Sequence, residues 1–202
     1  MGLFFNKTLL EDLYRYEGDG NQKLKVKLKY LFCVPGYTYI FFFRHASLSR
    51  NRISRMFWSF FLHVTKYITH IQIPAGTKIG RGFRIVHFGH IVVNPDAVIG
   101  DNFNRSQGCL IGNAMGKRMG SPTFGDNVCM NANAIVIGNA HIGNNVLIAP
   151  GAFVNFDVPD NSIVIGNPGK IIARDASPTQ KYIVYPVGEL ETTSSSTPTL
   201  SR

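Results

Sequence analysis

The sequence predicts a mainly β protein built as a parallel β-helix, with a helical domain in front of it. Three observations support this fold class: a six-residue repeat from residue 73 to about residue 168, glycine and asparagine between its aliphatic positions, and a basic, aromatic first third without the repeat. One hexapeptide forms one side of a three-sided coil, so about eighteen residues complete a turn. An amphipathic helix is excluded, because apolar residues at intervals of six do not follow a 3.6-residue period.

The repeat occurs in two runs. The first begins IPAGTK, IGRGFR and IVHFGH, slips by two residues near residues 87–93, and ends with IGN at Ile111; the second starts at Phe124 with FGDNVC. The first position of each unit is aliphatic and should point inward, with Arg105 as the main exception. Gly and Asn recur between these positions because they accept the positive φ angles that tight corners require.

The limits of the repeat divide the chain into three regions. Residues 1–70 are expected to form an N-terminal, mostly helical domain, residues 71–172 the β-helix, and residues 173–202 a C-terminal extension with a disordered Ser/Thr-rich tail beyond Glu191. Lysines alternate with apolar residues over residues 23–29, which favours a strand on periodicity alone. Residues 37–43 and 53–67 are bulky enough to form buried helices.

The composition limits the classes of protein to which the chain can belong. An apolar content of 45% in 202 residues is sufficient for a core. Three widely spaced cysteines (Cys33, Cys109 and Cys129) fit neither a zinc nor a disulfide pattern, which predicts reduced thiols in the cytoplasm. No signal peptide is expected, and the longest apolar stretch is too short to span a bilayer. The net charge of +9 is compatible with nucleic acid, a membrane surface or an anionic cofactor.

The interruptions of the repeat are the candidate functional positions. Residues 112–123, GNAMGKRMGSPT, have no aliphatic residue in register and should leave the coil as an excursion loop. His87 and His90 lie near the two-residue slip. An imidazole held by a rigid coil can accept a proton near neutral pH, so His87 is a candidate general base. The pair has no third ligand nearby, and no metal site is predicted.

Three segments resemble the serine acetyltransferase branch of the hexapeptide-repeat acyltransferases: HIQIPAGTKIGRGFRIVHFGHIVVNPDAVIGDN, the loop GNAMGKRMGSPT, and VPDNSIVIGNPGKII. The stretch VPGYTYIFFFRHA also resembles the helical segment of that branch. The resemblance covers most of residues 20–172 and is more specific for the superfamily than for the acceptor. It implies a left-handed coil, acetyl-CoA as co-substrate without a metal, and a homotrimer or a dimer of trimers with sites between neighbouring subunits.

The resemblance also implies roles for individual residues. His87 falls on the catalytic histidine, which takes a proton from the acceptor hydroxyl as that hydroxyl attacks the thioester. Gln72 stands where the family has an aspartate that orients this histidine, and its amide oxygen could still hold the imidazole. The other implied contacts are acceptor-binding Asp19, Ser121, Lys117 and Arg118, and coenzyme-binding Ala132, Ala134, Gly151 and Lys170.

Departures from the family pattern leave the acceptor open. Val86 replaces an aspartate that usually precedes the histidine, and Ser121 replaces a histidine that helps hold the serine carboxylate. The acceptor is therefore L-serine, as in cysteine biosynthesis, or a sugar hydroxyl of a capsule or exopolysaccharide. The alternative to an enzyme is a non-catalytic trimeric solenoid scaffold, which would need neither His87 nor the excursion loop.

Residues 23–61 mix basic and aromatic side chains, and two uses of them stay open. The helical domain could bury its aromatic residues between trimers. It could instead lie on an anionic membrane, which would place a cytoplasmic protein at the inner face of that membrane. Nucleic acid is not expected as a partner, since no binding motif accompanies the charge.

Overall fold

The computed structural model describes residues 5–188, in which a helical region precedes a coil of short strands. The helices are α1 (Lys7–Glu17), a 3₁₀ turn (Gly18–Gln22), α2 (Leu24–Cys33), α3 (Pro35–Leu48) and α4 (Arg52–Thr69). The Ser/Thr-rich tail lies outside the described residues. No helix within residues 5–188 is both long and apolar enough to cross a membrane.

The strands follow from residue 71 onward and form three sheets. Their bounds are β1 Ile71–Gln72, β2 Lys78–Ile79, β3 Arg84–Ile85, β4 Ile91–Val93, β5 Val98–Ile99, β6 Asn104–Arg105, β7 Leu110–Gly112, β8 Thr123–Phe124, β9 Cys129–Met130, β10 Ile135–Ile137, β11 His141–Ile142, β12 Leu147–Ile148, β13 Phe153–Val154, β14 Ser162–Ile165 and β15 Lys170–Ala173.

Every third strand joins the same sheet, so the chain visits three faces in turn. Face A is β1-β4-β7-β10-β13, face B is β2-β5-β8-β11, and face C is β3-β6-β9-β12-β14, with β15 added antiparallel to β14. All the other strand pairs are parallel. The parallel sheets and the helical region that the sequence predicted are therefore both present.

The lengths of the coils confirm both interruptions of the repeat. Ile71 pairs with Ile91, twenty residues on, whereas Cys129 pairs with Leu147, eighteen residues on. The two extra residues of the first coil correspond to the predicted slip. The excursion loop leaves after β7 ends at Gly112 and returns at β8, which begins at Thr123.

Asparagines form a ladder along the corner between faces B and C. Asn102, Asn127, Asn145 and Asn161 all have φ between 52° and 57°, the left-handed conformation predicted for the corners. Each side-chain amide donates to the side-chain oxygen of the next asparagine, at 3.0–3.2 Å. The ladder satisfies amide groups that the tight corner would otherwise leave without partners.

The structure decides one open point in the helical region and corrects one expectation. Residues 24–29 lie in α2, as expected for a mostly helical domain, and do not form the strand that their alternation favours. The predicted buried helix at 53–67 lies within α4, but only one side of that helix is buried, and Ile53, Phe60 and five other large apolar residues are exposed. The sequence pattern shows that a face is apolar and cannot show what covers it.

Buried polar contacts attach the helices to the coil. Arg44 of α3 binds the Asp12 carboxylate of α1 at 2.7 Å and donates to the Ile79 carbonyl, while Asp12 accepts from the Phe83 amide. Arg15 of α1 donates to the carbonyls of Gly82 and Val184. The C-terminal extension is thus packed onto the coil at residues 182–187, where it also bonds Asn102 and Asn104.

Arg105, the exception in the repeat, occupies an inward position of face C. It is fully buried in register with Ile85 and Met130, and its Nη2 donates to the carbonyls of Val92 and Cys109. Its Nε and Nη1 have no hydrogen-bond partner among the described residues. Burial lowers the pKa of this guanidinium to about 10. Within residues 5–188, a cation without a carboxylate partner therefore lies inside an apolar core.

We expect Arg105→Met to stabilise the protein by about 1–4 kcal/mol, because an apolar side chain removes the cost of desolvating the guanidinium. In the variant, the Cys109 carbonyl still accepts a hydrogen bond from the Val92 amide. Urea unfolding of the variant beside wild type measures the change. Ile85→Met, on the same inward column, is the control and should cost less than about 1.5 kcal/mol. A loss of stability in Arg105→Met would contradict the interpretation.

Candidate active site

The corner where face C passes into face A, the C–A edge, collects His87 and several predicted coenzyme residues. His87 follows β3, Ala132 follows β9, and Gly151 follows β12. Neighbouring strands are about 4.8 Å apart, which places Ala132 about 10 Å and Gly151 about 14 Å along the coil from the level of His87. Gly151 has a φ of 69°, and a Cβ there would meet no atom within 4 Å, so the edge is open at this coil.

Lys170 lies at the far end of the same edge. It follows the turn after β14, pairs with Ile165, and is exposed. Because β15 lies beyond β14, five strand spacings separate Lys170 from the level of His87, about 24 Å. The C–A edge therefore runs from a histidine, past small residues, to an exposed lysine.

A cleft of about 440 Å³ opens beside His87. Gly36, at the start of α3, lets the helical region come close to the coil, since a Cβ there would lie 2.8 Å from the Ile85 carbonyl oxygen. The junction of α2 and α3 thereby forms one wall. The lining residues are Cys33, Val34, Pro35, Gly36, Ile85, Val86, His87, Phe88 and Gln107.

The His87 side chain is exposed in the protomer and therefore accessible to a ligand in the cleft. No hydrogen bond joins its ring to another residue in the described part of the chain, Gln72 included. Gln72 is exposed on β1, outside the lining of the cleft. Gln107 is the amide that shares the cleft with His87, and sequence reasoning missed it. The signal was available: Gln107 is one twenty-residue coil beyond His87, in the register that pairs Arg84 with Asn104.

The predicted acceptor residues lie apart from this cleft. Asp19 is exposed on the 3₁₀ turn and does not line the cleft, and the neighbouring Asn21 uses its side-chain amide to donate to the Leu10 carbonyl. Ser121 donates to the side-chain oxygen of Asn94 at 2.9 Å. Ser121 thus joins the end of the excursion loop to Asn94, the residue that follows β4 of face A.

The excursion loop leaves from the opposite edge of face A, between β7 and β8. Ala114 and Gly120 form an antiparallel bridge at its base. Arg118 contacts the Asp157 carboxylate at 2.8 Å and donates to the Asn139 carbonyl, and this guanidinium lowers the pKa of Asp157. Lys117 is exposed. Arg118 therefore anchors the loop in the protomer, and the structure does not bring the loop and His87 together within one chain.

Ala134 differs from the other predicted coenzyme residues. Its side chain is fully buried in the coil, and its carbonyl accepts from the Leu110 amide. This placement argues against contact with a ligand outside the coil. The same position is fully buried in the neighbouring coils, at Cys109 before β7 and Ala152 before β13.

The two cysteines of the coil offer no nucleophile, whereas Cys33 is exposed and lines the cleft beside His87. Cys109 and Cys129 are buried, and burial raises the pKa of both thiols, that of Cys129 to about 11. A thiolate is the reactive form, so burial disfavours nucleophilic attack. No group of three or more His, Cys, Asp or Glu in the described residues could hold a metal ion.

The chain is similar to serine acetyltransferases in sequence. It is 32% identical to that of Synechococcus elongatus over 170 residues, which are 83% of this chain and 69% of the relative. It is 39% identical to that of Staphylococcus aureus over 114 residues, which span about half of that relative (53%). No protein-family model matches the chain.

Solved structures of serine acetyltransferases have the same fold. That of Neisseria gonorrhoeae superposes with a TM-score of 0.70 at 28% identity, covering 84% of this chain and 67% of the other. That of Brucella abortus in complex with coenzyme A superposes with a TM-score of 0.71 at 24% identity, covering 84% and 68%. The second likeness concerns the fold alone.

Proposed function

This chain belongs to the serine acetyltransferase family, and from that premise we propose that it transfers an acetyl group from acetyl-CoA to a hydroxyl of a small acceptor. The observation that carries the proposal is the C–A edge, where His87 borders a cleft and small residues lead to Lys170. A scaffold without catalysis would need neither the cleft nor the histidine in it. The names of the relatives also favour an enzyme.

His87 acts as general base in this reaction. Its free imidazole nitrogen takes the proton of the acceptor hydroxyl while the hydroxyl oxygen forms a bond to the thioester carbonyl carbon. The tetrahedral intermediate then breaks its C–S bond, and the departing thiolate takes up the proton. General-base catalysis of this kind contributes about 10²–10⁴-fold, and holding two substrates together contributes much of the rest. No covalent intermediate with the protein is required.

Acetyl-CoA lies along the C–A edge, with its thioester at His87. The pantetheine arm passes Ala132 and Gly151, whose small side chains leave the edge open. The 3′-phosphate reaches Lys170. The coenzyme A complex of the Brucella abortus relative supports this ligand class for the fold.

A homotrimer with a left-handed coil completes the site. The excursion loop and His87 lie on opposite edges of face A in one protomer, so the loop of one subunit can approach His87 only of a neighbour. Lys117 is then the basic loop residue that is free to meet a substrate. Gln72, Asp19 and Ser121 remain predictions for this assembled site.

The acceptor that the relatives' names indicate is L-serine. A neutral sugar is the second candidate, because the lining of the cleft contains no Asp, Glu, Lys or Arg. An amino acid carries an ammonium and a carboxylate, and both would need charged or hydrogen-bonding partners to leave water. The single protomer supplies no charged partner in the cleft, while a sugar needs only hydrogen bonds.

An acceptor comparison tests the proposal. Purified chain is given acetyl-CoA with L-serine, or with a panel of sugars and nucleotide sugars, and release of the CoA thiol is followed together with the O-acetyl product. Turnover with serine at ordinary enzyme rates would settle the acceptor in favour of the relatives' names. Turnover only with a sugar would support a neutral acceptor, in line with a cleft that no Asp, Glu, Lys or Arg lines. No turnover with any hydroxyl acceptor would contradict the proposed function.

We expect Lys170→Ala to raise the KM for acetyl-CoA about two- to fivefold at unchanged kcat, since one exposed charge contact to a phosphate is lost. Lys78→Ala, which removes an exposed lysine from face B, should leave the KM unchanged. With acetyl-CoA that lacks the 3′-phosphate, wild type and Lys170→Ala should have the same KM. A difference that persists without this phosphate would place Lys170 elsewhere.

A further inference from the structure

The helix α4 exposes a continuous apolar face. One side of the helix packs on α3, where Trp58 contacts Phe41 and Phe61 stacks on Phe42. A different side carries large apolar side chains that are 38–78% exposed, and no described residue covers them. They recur at helical spacing from Ile53 to Ile68, about 24 Å of helix. The members of this α4 apolar face are Ile53, Met56, Phe57, Phe60, Val64, Tyr67 and Ile68.

The surroundings of the α4 apolar face carry one sign of charge. From residue 20 to residue 95 the sequence contains twelve Lys or Arg and no Asp or Glu. At 100° per residue, Arg52, Arg55 and Lys66 fall on a sector of α4 that borders the apolar face on the side away from α3. The helix thus presents three sectors in turn: one packed on the protein, one exposed and apolar, and one basic.

The first turn of α4 points to an anionic partner as well. Asn51 caps the helix, the first turn contains no acidic residue, and Arg50 and Arg52 lie exposed beside it. Cations at a helix N-terminus oppose the helix dipole, so these arginines weaken the isolated helix. Anionic groups docked there would be attracted by both the arginines and the dipole.

We propose that the α4 apolar face docks onto an anionic lipid bilayer, with the helix lying in the plane of the interface at the cytoplasmic side. Interfacial helices bury an apolar face about 5–10 Å deep, and neighbouring basic residues contact the headgroups. A second copy packed face to face would bring two basic borders together, and residues 20–95 offer no carboxylate to pair with them. Nucleic acid would meet the basic sector and leave seven apolar side chains in water.

Two variants and a matched control test the proposal in the full chain. Phe57→Ser with Phe60→Ser removes the centre of the apolar face, and Arg52→Glu with Arg55→Glu reverses part of the basic sector. Val98→Ser with Lys78→Glu changes an exposed apolar residue and its basic neighbour on face B, which pair in register. Exposed substitutions change stability by little, so all three should fold, as thermal melts will show.

Binding is measured by co-sedimentation with vesicles of phosphatidylcholine and phosphatidylglycerol, or of phosphatidylcholine alone. Wild type and the face B control should bind the anionic vesicles and not the neutral ones. Each α4 variant should bind at least about tenfold more weakly. The only tryptophan, Trp58, lies on α4 and contacts Phe57, so its emission should shift to the blue with anionic vesicles.

Two results would overturn the proposal. One is the absence of binding to anionic vesicles by wild type. The other is an assembly, seen by light scattering, that Phe57→Ser with Phe60→Ser dissociates while vesicle binding persists, which would make the α4 apolar face a contact between copies. Acetyl transfer does not enter this test, because none of the substituted residues lines the C–A edge or its cleft.

Discussion

His87→Ala is expected to lower kcat by about 10²–10⁴-fold with acetyl-CoA and its acceptor, because the imidazole is the base that takes the hydroxyl proton. The KM for acetyl-CoA should change little, since the rest of the C–A edge stays in place. His87 is exposed and makes no hydrogen bond within the described chain, so its loss should not affect folding. Initial rates of thiol release measure the effect, and light scattering measures assembly.

A matched pair separates the base from a general effect of losing a histidine. His87→Asn keeps a polar side chain at the cleft and should be as impaired as His87→Ala. His90→Asn removes the neighbouring histidine, which stacks on His70 outside the lining of the cleft and has a φ of 53° that asparagine accepts. It should retain wild-type kcat. Full activity in His87→Asn would show that another group is the base.

Asp12→Ala is expected to destabilise the protein by about 3–5 kcal/mol, because it leaves the buried Arg44 guanidinium without its carboxylate. The same change removes the acceptor of the Phe83 amide, so the helical region also loses one contact with the coil. Urea unfolding gives the difference in free energy of unfolding, provided that the transition keeps its slope.

Glu11→Ala is the control for Asp12→Ala. The neighbouring Glu11, whose side chain is 16% exposed, makes longer ion pairs with two exposed partners, 3.9 Å to Lys7 and 3.7 Å to Arg81. Exposed pairs contribute at most about 1 kcal/mol, so this variant should remain close to wild type. If both substitutions lowered the free energy of unfolding by the same amount, burial would not explain the contribution of the Asp12–Arg44 ion pair.

The coil could be predicted from the sequence because its cause is local. Each hexapeptide specifies its own side and corner, and the positive φ at Asn102 and its counterparts follows from the residue type. Gln107 could have been found in the same way by adding one coil to His87. The placement of the loop and His87 on opposite edges of face A also follows from the order of the strands.

The helical region could not be predicted in the same detail, because its determinants are distant in sequence. Asp12 and Arg44 lie 32 residues apart, and no periodic pattern joins them. The alternation at residues 23–29 was misleading, since Leu and Lys suit a helix as well as a strand edge. The exposure of α4 depends on which elements surround it, and that information is not in the periodicity of α4 itself.

The position of bound coenzyme A tests the central claim most directly. A crystal structure of the chain with coenzyme A should show the thiol sulfur beside His87, the pantetheine arm along Ala132 and Gly151, and the 3′-phosphate at the Lys170 end of the C–A edge. Coenzyme A bound along either of the other two edges, with its sulfur away from His87, would contradict the account.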